Sequence, residues 1–213
     1  MVMQAETASA RYDAPAHLRS ACGRSIPLHV PRWFDEPGPH EQAVLDQAIP
    51  TALDIGCGPG RHTLALTARG VNAVGVDAAS ESVRTARQRG ARVLHRSVFD
   101  RLPGEGHWGS ALLLDGNVGI GGDPPALLRR IHHLLHPGGR LLIELEAPGV
   151  SSRTLKVRPT ASEAVWLPWP TGSRFPWATL GVDDLEGVAT STGFATQRVW
   201  EAGERWFARM DVA

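Results

Sequence analysis

The densest group of chemically capable residues is LDIGCGPGRH, Leu53 to His62, which holds one acid, three glycines and two basic residues within ten positions. Gly56, Gly58 and Gly60 remove side chains at alternate positions, so the backbone can turn sharply and a ligand can come close to it. A helix starting after them would aim its unpaired N–H groups at negative charge on that ligand. Two more acids close apolar runs downstream: Asp77, 17 residues after Gly60, and Asp115, which is followed by Gly116 and Asn117. Asp77 has a competing duty as a cap for a helix near Ser80. For proton transfer the candidates are Asp115 and His29, with Asn117 able to orient an acceptor. His29 lies in IPLHVPRWF, close to Arg32 and Trp33, in a segment with no assigned element. His132, His133 and His136 raise metal ligation, since 132 and 136 are one helical turn apart.

These residues need a frame that brings them to one edge. TALDI, VNAVGVD, ARVLHRSV, GSALLLD and RLLIELEAPG read as strands. Between them RHTLALTARG stops at Gly70, and SESVRTARQRG runs from a Ser80 N-cap to Gly90. PPALLRRIHHLL opens with prolines in its first turn, where a missing N–H costs nothing. Strands alternating with helices at this spacing predict right-handed βαβ units and a parallel sheet. Ligands in such sheets lie at the carboxyl ends of the strands, where Asp77 and Asp115 fall. The three histidines fall at the opposite edge, at the negative end of a helix dipole, so no metal is predicted. Beyond Pro148 the alternation fails, and residues 151–177 contain four prolines and no long periodic run. DDLEGVATSTG then reads as a helix, and FATQRVWEA and RWFARMDV as a closing antiparallel pair. Asp35, Glu36, Asp183 and Asp184 read as solvated or capping acids. Residues 1–48 are expected to be an N-terminal extension packing on a single domain, 49–213, in which about 150–177 is a candidate lid.

Two ligand classes use a glycine-rich strand-to-helix turn. The dinucleotide fingerprint G-x-G-x-x-G would place its third glycine at position 61, which is Arg61. The spacing G-x-G-x-G with Asp54 two residues ahead resembles instead the glycine loop of class I S-adenosylmethionine-dependent methyltransferases. Over about residues 50–147 the order of motifs is similar to that superfamily, including HPGGRLLIE at the fifth strand. The resemblance implies a three-layer α/β/α Rossmann-like fold, with a mostly parallel seven-stranded sheet whose last strand is antiparallel. It also implies S-adenosylmethionine as cofactor and S-adenosylhomocysteine as product. Asp54, Gly56, Cys57, Gly58 and Gly60 would then face the cofactor, Asp54 opposite its ammonium and sulfonium. Asp77 and Ala78 would meet the ribose, where a carboxylate, carrying only acceptors, suits a pair of hydroxyls. In RSVFDRLPG the sequence departs from the family, with Ser97 where an aspartate is common and Asp100 three residues later. Ser97, the Val98 backbone and the face of Phe99 are therefore assigned to the adenine, and Asp115 to the methionine end.

Methyl transfer from a sulfonium is an in-line displacement that needs alignment and exclusion of water, with a base only for a neutral hydroxyl or a protonated amine. The segment DGNV lacks the prolines and aromatic of the N/D-P-P-Y element, which argues against amine acceptors in planar groups. Acceptor contacts are expected from Arg32 and Trp33, and from Trp166, Trp169 and Trp177 in the proline-rich segment. With Phe175 these make either a cover suited to an apolar or aromatic acceptor, or a satellite core under a long loop. Trp200 and Trp206 are expected in the core.

Charge narrows the partner. Lys plus Arg and Asp plus Glu are 22 each, a net charge of zero without a basic domain, which argues against nucleic acid. No apolar run approaches membrane length, no secretory leader is legible, and Cys22 and Cys57 are too few for a disulfide framework. The expectation is a cytoplasmic monomer or homodimer that methylates a small molecule. Two alternatives stand beside it: the same fold using the sulfonium for other chemistry such as cyclisation, and a cofactor-binding regulatory or pseudoenzyme subunit.

Overall fold

The structure is a computed structural model and describes residues 16–159, 166–169 and 172–213; the first 15 residues and part of the candidate lid lie outside the described residues. The described chain opens with β1 (Ala16–Ser20) and β2 (Ser25–Leu28), followed by α1 (Pro39–Leu45). Strands and helices then alternate: β3 (Ala52–Ile55), α2 (Arg61–Ala68), β4 (Ala73–Asp77), α3 (Ser80–Gln88) and β5 (Val93–His95). After them come β6 (Trp108–Leu113), α4 (Pro124–Leu134) and β7 (Leu135–Leu145). The remainder is β8 (Arg153–Pro159), β9 (Phe175–Thr179), α5 (Leu185–Ser191), β10 (Phe194–Ala202) and β11 (Arg205–Val212).

Seven strands form one sheet in the order β10-β11-β7-β6-β3-β4-β5. The pairs among β7, β6, β3, β4 and β5 are parallel, and β11 runs antiparallel to both of its neighbours. This is the mostly parallel sheet with an antiparallel last strand that the sequence predicts. Alternation divides its side chains between two layers. Leu53, Ile55, Ala111, Leu113, Leu141 and Ile143 pack with α4 and α5 residues such as Leu127, Ile131 and Leu185. Ala52, Leu112, Leu114 and Leu142 pack on the other face with Val44, Leu45 and Leu66 of α1 and α2. Each such leucine, when fully buried, contributes about 1.5–3 kcal/mol.

The helix starts differ in one respect from the sequence reading. Asp123 caps α4 by accepting from the Ala126 amide at 3.0 Å, ahead of Pro124 and Pro125. Ser80, however, is the first residue of α3 and not its cap; Ala79 holds that position without a side-chain cap bond. The Asp77 carboxylate takes the Ala79 amide instead, at 2.8 Å.

A second sheet, absent from the sequence reading, has the order β2-β1-β8-β9 with every pair antiparallel. It joins the N-terminal segment to the segment after Pro148. Leu18, Val157, Phe175 and Trp177 form its apolar face, with Ile26, Leu28, Leu155 and Trp169 packed against them. Asp183 and Asp184 tie down the chain leading into β8, accepting from the Gly149 amide at 2.7 Å and from Ser152. Among the described residues no helix is long and apolar enough to cross a membrane.

Candidate active site

Between the carboxyl edge of the large sheet and the apolar face of the small one lies a cleft of about 1130 Å³, including its open mouth. Its floor is Ile55 and Val76, at the ends of β3 and β4, and one wall is the turn of Gly56, Cys57 and Gly58. At Gly56 (φ +68°) a Cβ would sit 2.8 Å from the Asn117 side chain. That amide donates to the carbonyls of Ile55 and Gly56, both at 2.9 Å, and so locks the loop to the end of β6. Gly58 (φ +52°) has nothing within 4 Å where a Cβ would lie, so a ligand can rest on its backbone. The Gly58 amide donates to Asp77 Oδ2 at 2.9 Å. Burial pushes the Asp77 carboxyl up to about 6, against the lowering effect of its bonds from Ala79 and Gly58. Each Asp77 oxygen has one protein donor and retains acceptor capacity on the cleft side. Burial likewise raises the Cys57 thiol well above its ordinary value, so it stays protonated.

Ala78, Ser97, Val98 and Phe99 continue the wall past β4 and β5. The Ser97 hydroxyl accepts from the Phe99 amide at 3.2 Å, and the Ser97 amide donates to Asp100 at 3.0 Å, which fixes the turn. Phe99 is 45% exposed, an unusual position for its size, and lies against Gly121 at the cleft mouth.

At the other end of the cleft three arginines and three acids interlock. Arg61, in the first turn of α2, bonds Glu41 of α1 through Nη1 at 3.0 Å and Asp115 through Nη2 at 2.9 Å. Arg205 of β11 bonds Glu144 of β7 at 2.6 Å, Glu41 at 2.7 Å and Asp115 at 3.1 Å. Arg32 reaches Asp115 at 3.3 Å, and His62 lies 3.4 Å from Glu41. Burial would raise the Glu41 and Asp115 carboxyls, but His62, Arg61 and Arg205 beside both, and Arg32 beside Asp115, hold them below the usual range. Glu41, His62 and Asp115 have the spacing of metal ligands, yet the Arg61 guanidinium already supplies the positive charge among them.

The far wall is aromatic. Trp33, Trp166, Trp169 and Trp177 all line the cleft. Trp166 meets Phe34 edge-on at 5.2 Å, Trp169 stacks on Phe175 at 3.7 Å, and Phe175 meets Trp177 edge-on at 6.2 Å. Arg89, at the end of α3, holds the turn carrying Trp33 to the glycine loop through the carbonyls of Trp33, Phe34 and Pro59.

A family model described as "Methyltransferase domain" matches residues 52–139, the stretch that builds the floor and glycine wall of this cleft. Over that stretch the chain is similar to methyltransferase domains. The whole fold recurs in an S-adenosylmethionine-dependent methyltransferase from Bacteroides fragilis solved with S-adenosylhomocysteine: TM-score 0.74, 23% identity, 94% of this chain and 88% of that one. It recurs in 1,6-didemethyltoxoflavin-N1-methyltransferase from Burkholderia thailandensis: TM-score 0.63, 19% identity, 87% and 84% of the two chains. Among curated relatives, a ubiquinone biosynthesis O-methyltransferase of Pseudomonas paraeruginosa is 30% identical over 126 residues, 55% of this chain. A trans-aconitate 2-methyltransferase of Paracidovorax citrulli is 27% identical over 118 residues, 54% of this chain and 45% of its own length. The chain spans about half the length of the curated relatives it matches, 50% for the Pseudomonas enzyme.

Within this fold several residues stand elsewhere than the sequence places them. Asp54 does not line the cleft. It is 1% exposed, and its Oδ2 accepts from the Thr63 amide at 3.0 Å and hydroxyl at 2.7 Å, so it holds the first turn of α2 from beneath. Gly60 is also off the cleft, its Cβ position filled by Ala86 and Ala91 of the α3 region. Asp115 does line the cleft, but with Arg61, Arg205 and Arg32 bonded to it, it is poorly suited either to take a proton or to attract an ammonium. His29 is exposed and Arg32 is turned to Asp115, and neither contributes to the lining. Trp200 and Trp206 are partly buried at the edge of the core.

The sequence reading missed Glu41, Arg61, His62, Glu144 and Arg205. One signal was available. Arg61 and His62 open α2, where the helix dipole disfavours cations, so acidic partners from other elements had to be nearby.

Proposed function

We propose that the chain is an S-adenosylmethionine-dependent methyltransferase acting on a small apolar or aromatic acceptor. The observation that carries the reading is one cleft with two unlike walls: Gly58 and Asp77 on one side, four tryptophans on the other. The residues fit the cofactor. Asp77 has acceptor capacity for two ribose hydroxyls, Gly58 has open space over its backbone, and Ala78, Val98 and Phe99 offer an apolar berth for the adenine. Arg61 lines the end left for the amino-acid part of the cofactor, where its guanidinium suits the carboxylate.

When bound, the cofactor supplies an electrophilic methyl group on a sulfonium. The chain's own residues align and shield. Trp33, Trp166, Trp169 and Trp177 hold a flat acceptor by area and exclude water, and the four-stranded sheet acts as the cover, carrying Trp177 on β9 with Trp169 packed against it. The remaining carbonyl oxygen of Asn117 orients an acceptor hydroxyl.

The test is incubation of the protein with methyl-labelled S-adenosylmethionine and a metabolite extract, following S-adenosylhomocysteine and label together. Label in a small molecule with matching S-adenosylhomocysteine supports the reading. Cofactor loss without S-adenosylhomocysteine would move the assignment to other sulfonium chemistry, and tight binding with no turnover would move it to a regulatory subunit.

A further inference from the structure

The four-stranded sheet has a second face. Leu18, Val157 and Phe175 point toward the cleft side, so by strand alternation their chain neighbours Arg19, Arg158 and Arg174 point away from it, and all three are exposed. The register aligns them. Ser25 lies opposite Arg19, and Arg19 lies opposite Arg158. Carrying the Val157–Phe175 pairing one residue further sets Arg174 beside Arg158. One rung of the sheet therefore reads Ser25, Arg19, Arg158, Arg174 across β2, β1, β8 and β9, with neighbours about 4.8 Å apart along the backbone.

Like charges directly opposite one another in a sheet are destabilising. Nothing in this sheet offsets them: its four strands and the β1–β2 turn contain Arg19, Arg24, Arg153, Lys156 and Arg158, and no acid. Among the described residues none of the three rung arginines has an acidic partner, whereas Arg32, Arg61 and Arg205 around Asp115 are all paired. The three guanidinium groups also border a hollow, together with Ser20, Gly23 and Ser25.

We propose that this rung is a binding site for a small multiply charged phosphate ligand of the diphosphate class, separate from the methyltransferase cleft. Guanidinium forks pair with phosphate oxygens two at a time, and the hydroxyl of Ser25, on the same rung, adds a donor at one end. A row of three cations about 10 Å long is wider than one carboxylate needs, which favours linked phosphates.

The experiment is calorimetric titration of the full chain with sodium pyrophosphate at low salt, beside the variants Arg158→Gln and Arg174→Gln. The expected result is saturable binding of one pyrophosphate, weakened at least about tenfold by either variant, with orthophosphate binding more weakly. Without ligand, Arg158→Gln should melt about 1–2 °C above the wild type, since it relieves repulsion on both sides. Absence of saturable heat up to millimolar pyrophosphate overturns the proposal, as does unchanged affinity in both variants. Retention on phosphatidylserine vesicles or on a DNA duplex, without pyrophosphate binding, also overturns it in favour of a macromolecular surface.

Discussion

Asp77 accepts two backbone amides and still has its carboxyl raised to about 6, because burial outweighs those bonds. Ribose hydroxyls would bond the ionised form, so a bound cofactor should pull the proton off and bind more weakly as pH falls. S-adenosylhomocysteine affinity measured from pH 5 to 8 should be flat above about 7 and drop below about 6. An affinity constant across that range would remove Asp77 from the ribose. Glu41 makes a second test. It is 4% exposed and bonds both Arg61 and Arg205. Glu41→Gln leaves two largely buried guanidinium groups short of a charge, and urea denaturation should show a loss of about 3–5 kcal/mol. The sign with pH follows from its depressed carboxyl: the stability it contributes is complete above pH 4.5, its ordinary value, and fades only as pH falls toward the folded value.

Elements explain what the sequence could and could not tell. The strands β3, β4 and β6 were legible because central parallel strands are nearly continuous apolar runs; β3 and β4 close at the cleft residues Ile55 and Asp77, and β6 ends two residues before Asp115. The four-stranded sheet was not legible. Its strands are short, carry Pro27, Pro159 and Pro176, and β1 finds its partner β8 more than 130 positions away. The same holds at the site. Gly56, Gly58 and Asp77 are neighbours along a motif, whereas Glu41, Arg61, Glu144 and Arg205 come from α1, α2, β7 and β11. Asp54 was misplaced because its position in the motif is silent about the side-chain direction that Thr63 fixes. An element contact also yields a test of the aromatic wall. The 3₁₀ turn at Asn117–Gly122 packs against β9 so closely that a Cβ on Gly119 would lie 2.4 Å from the Trp177 ring. Gly119→Ala should therefore shift tryptophan emission and raise the acceptor KM, while S-adenosylhomocysteine affinity changes by less than about twofold. Equal effects on both would place Trp177 in cofactor binding instead.

Across the whole molecule, a net charge of zero conceals a segregation. Acids and arginines balance inside the cleft, while the outer face of the small sheet carries cations alone. The family match ends at residue 139, before β8 and β9, so the cofactor half of the cleft is built from shared sequence and much of the aromatic half from sequence beyond it. This division predicts a cofactor shared with proteins that match the 52–139 stretch and an acceptor particular to this chain. The most direct measurement of the central claim is calorimetric titration of the wild type and Asp77→Ala with S-adenosylhomocysteine at pH 7.5. One site per chain is predicted, with affinity roughly 10- to 100-fold weaker in the variant, the loss expected for a charge-assisted double contact. No binding by the wild type, or equal binding by both proteins, would contradict the account.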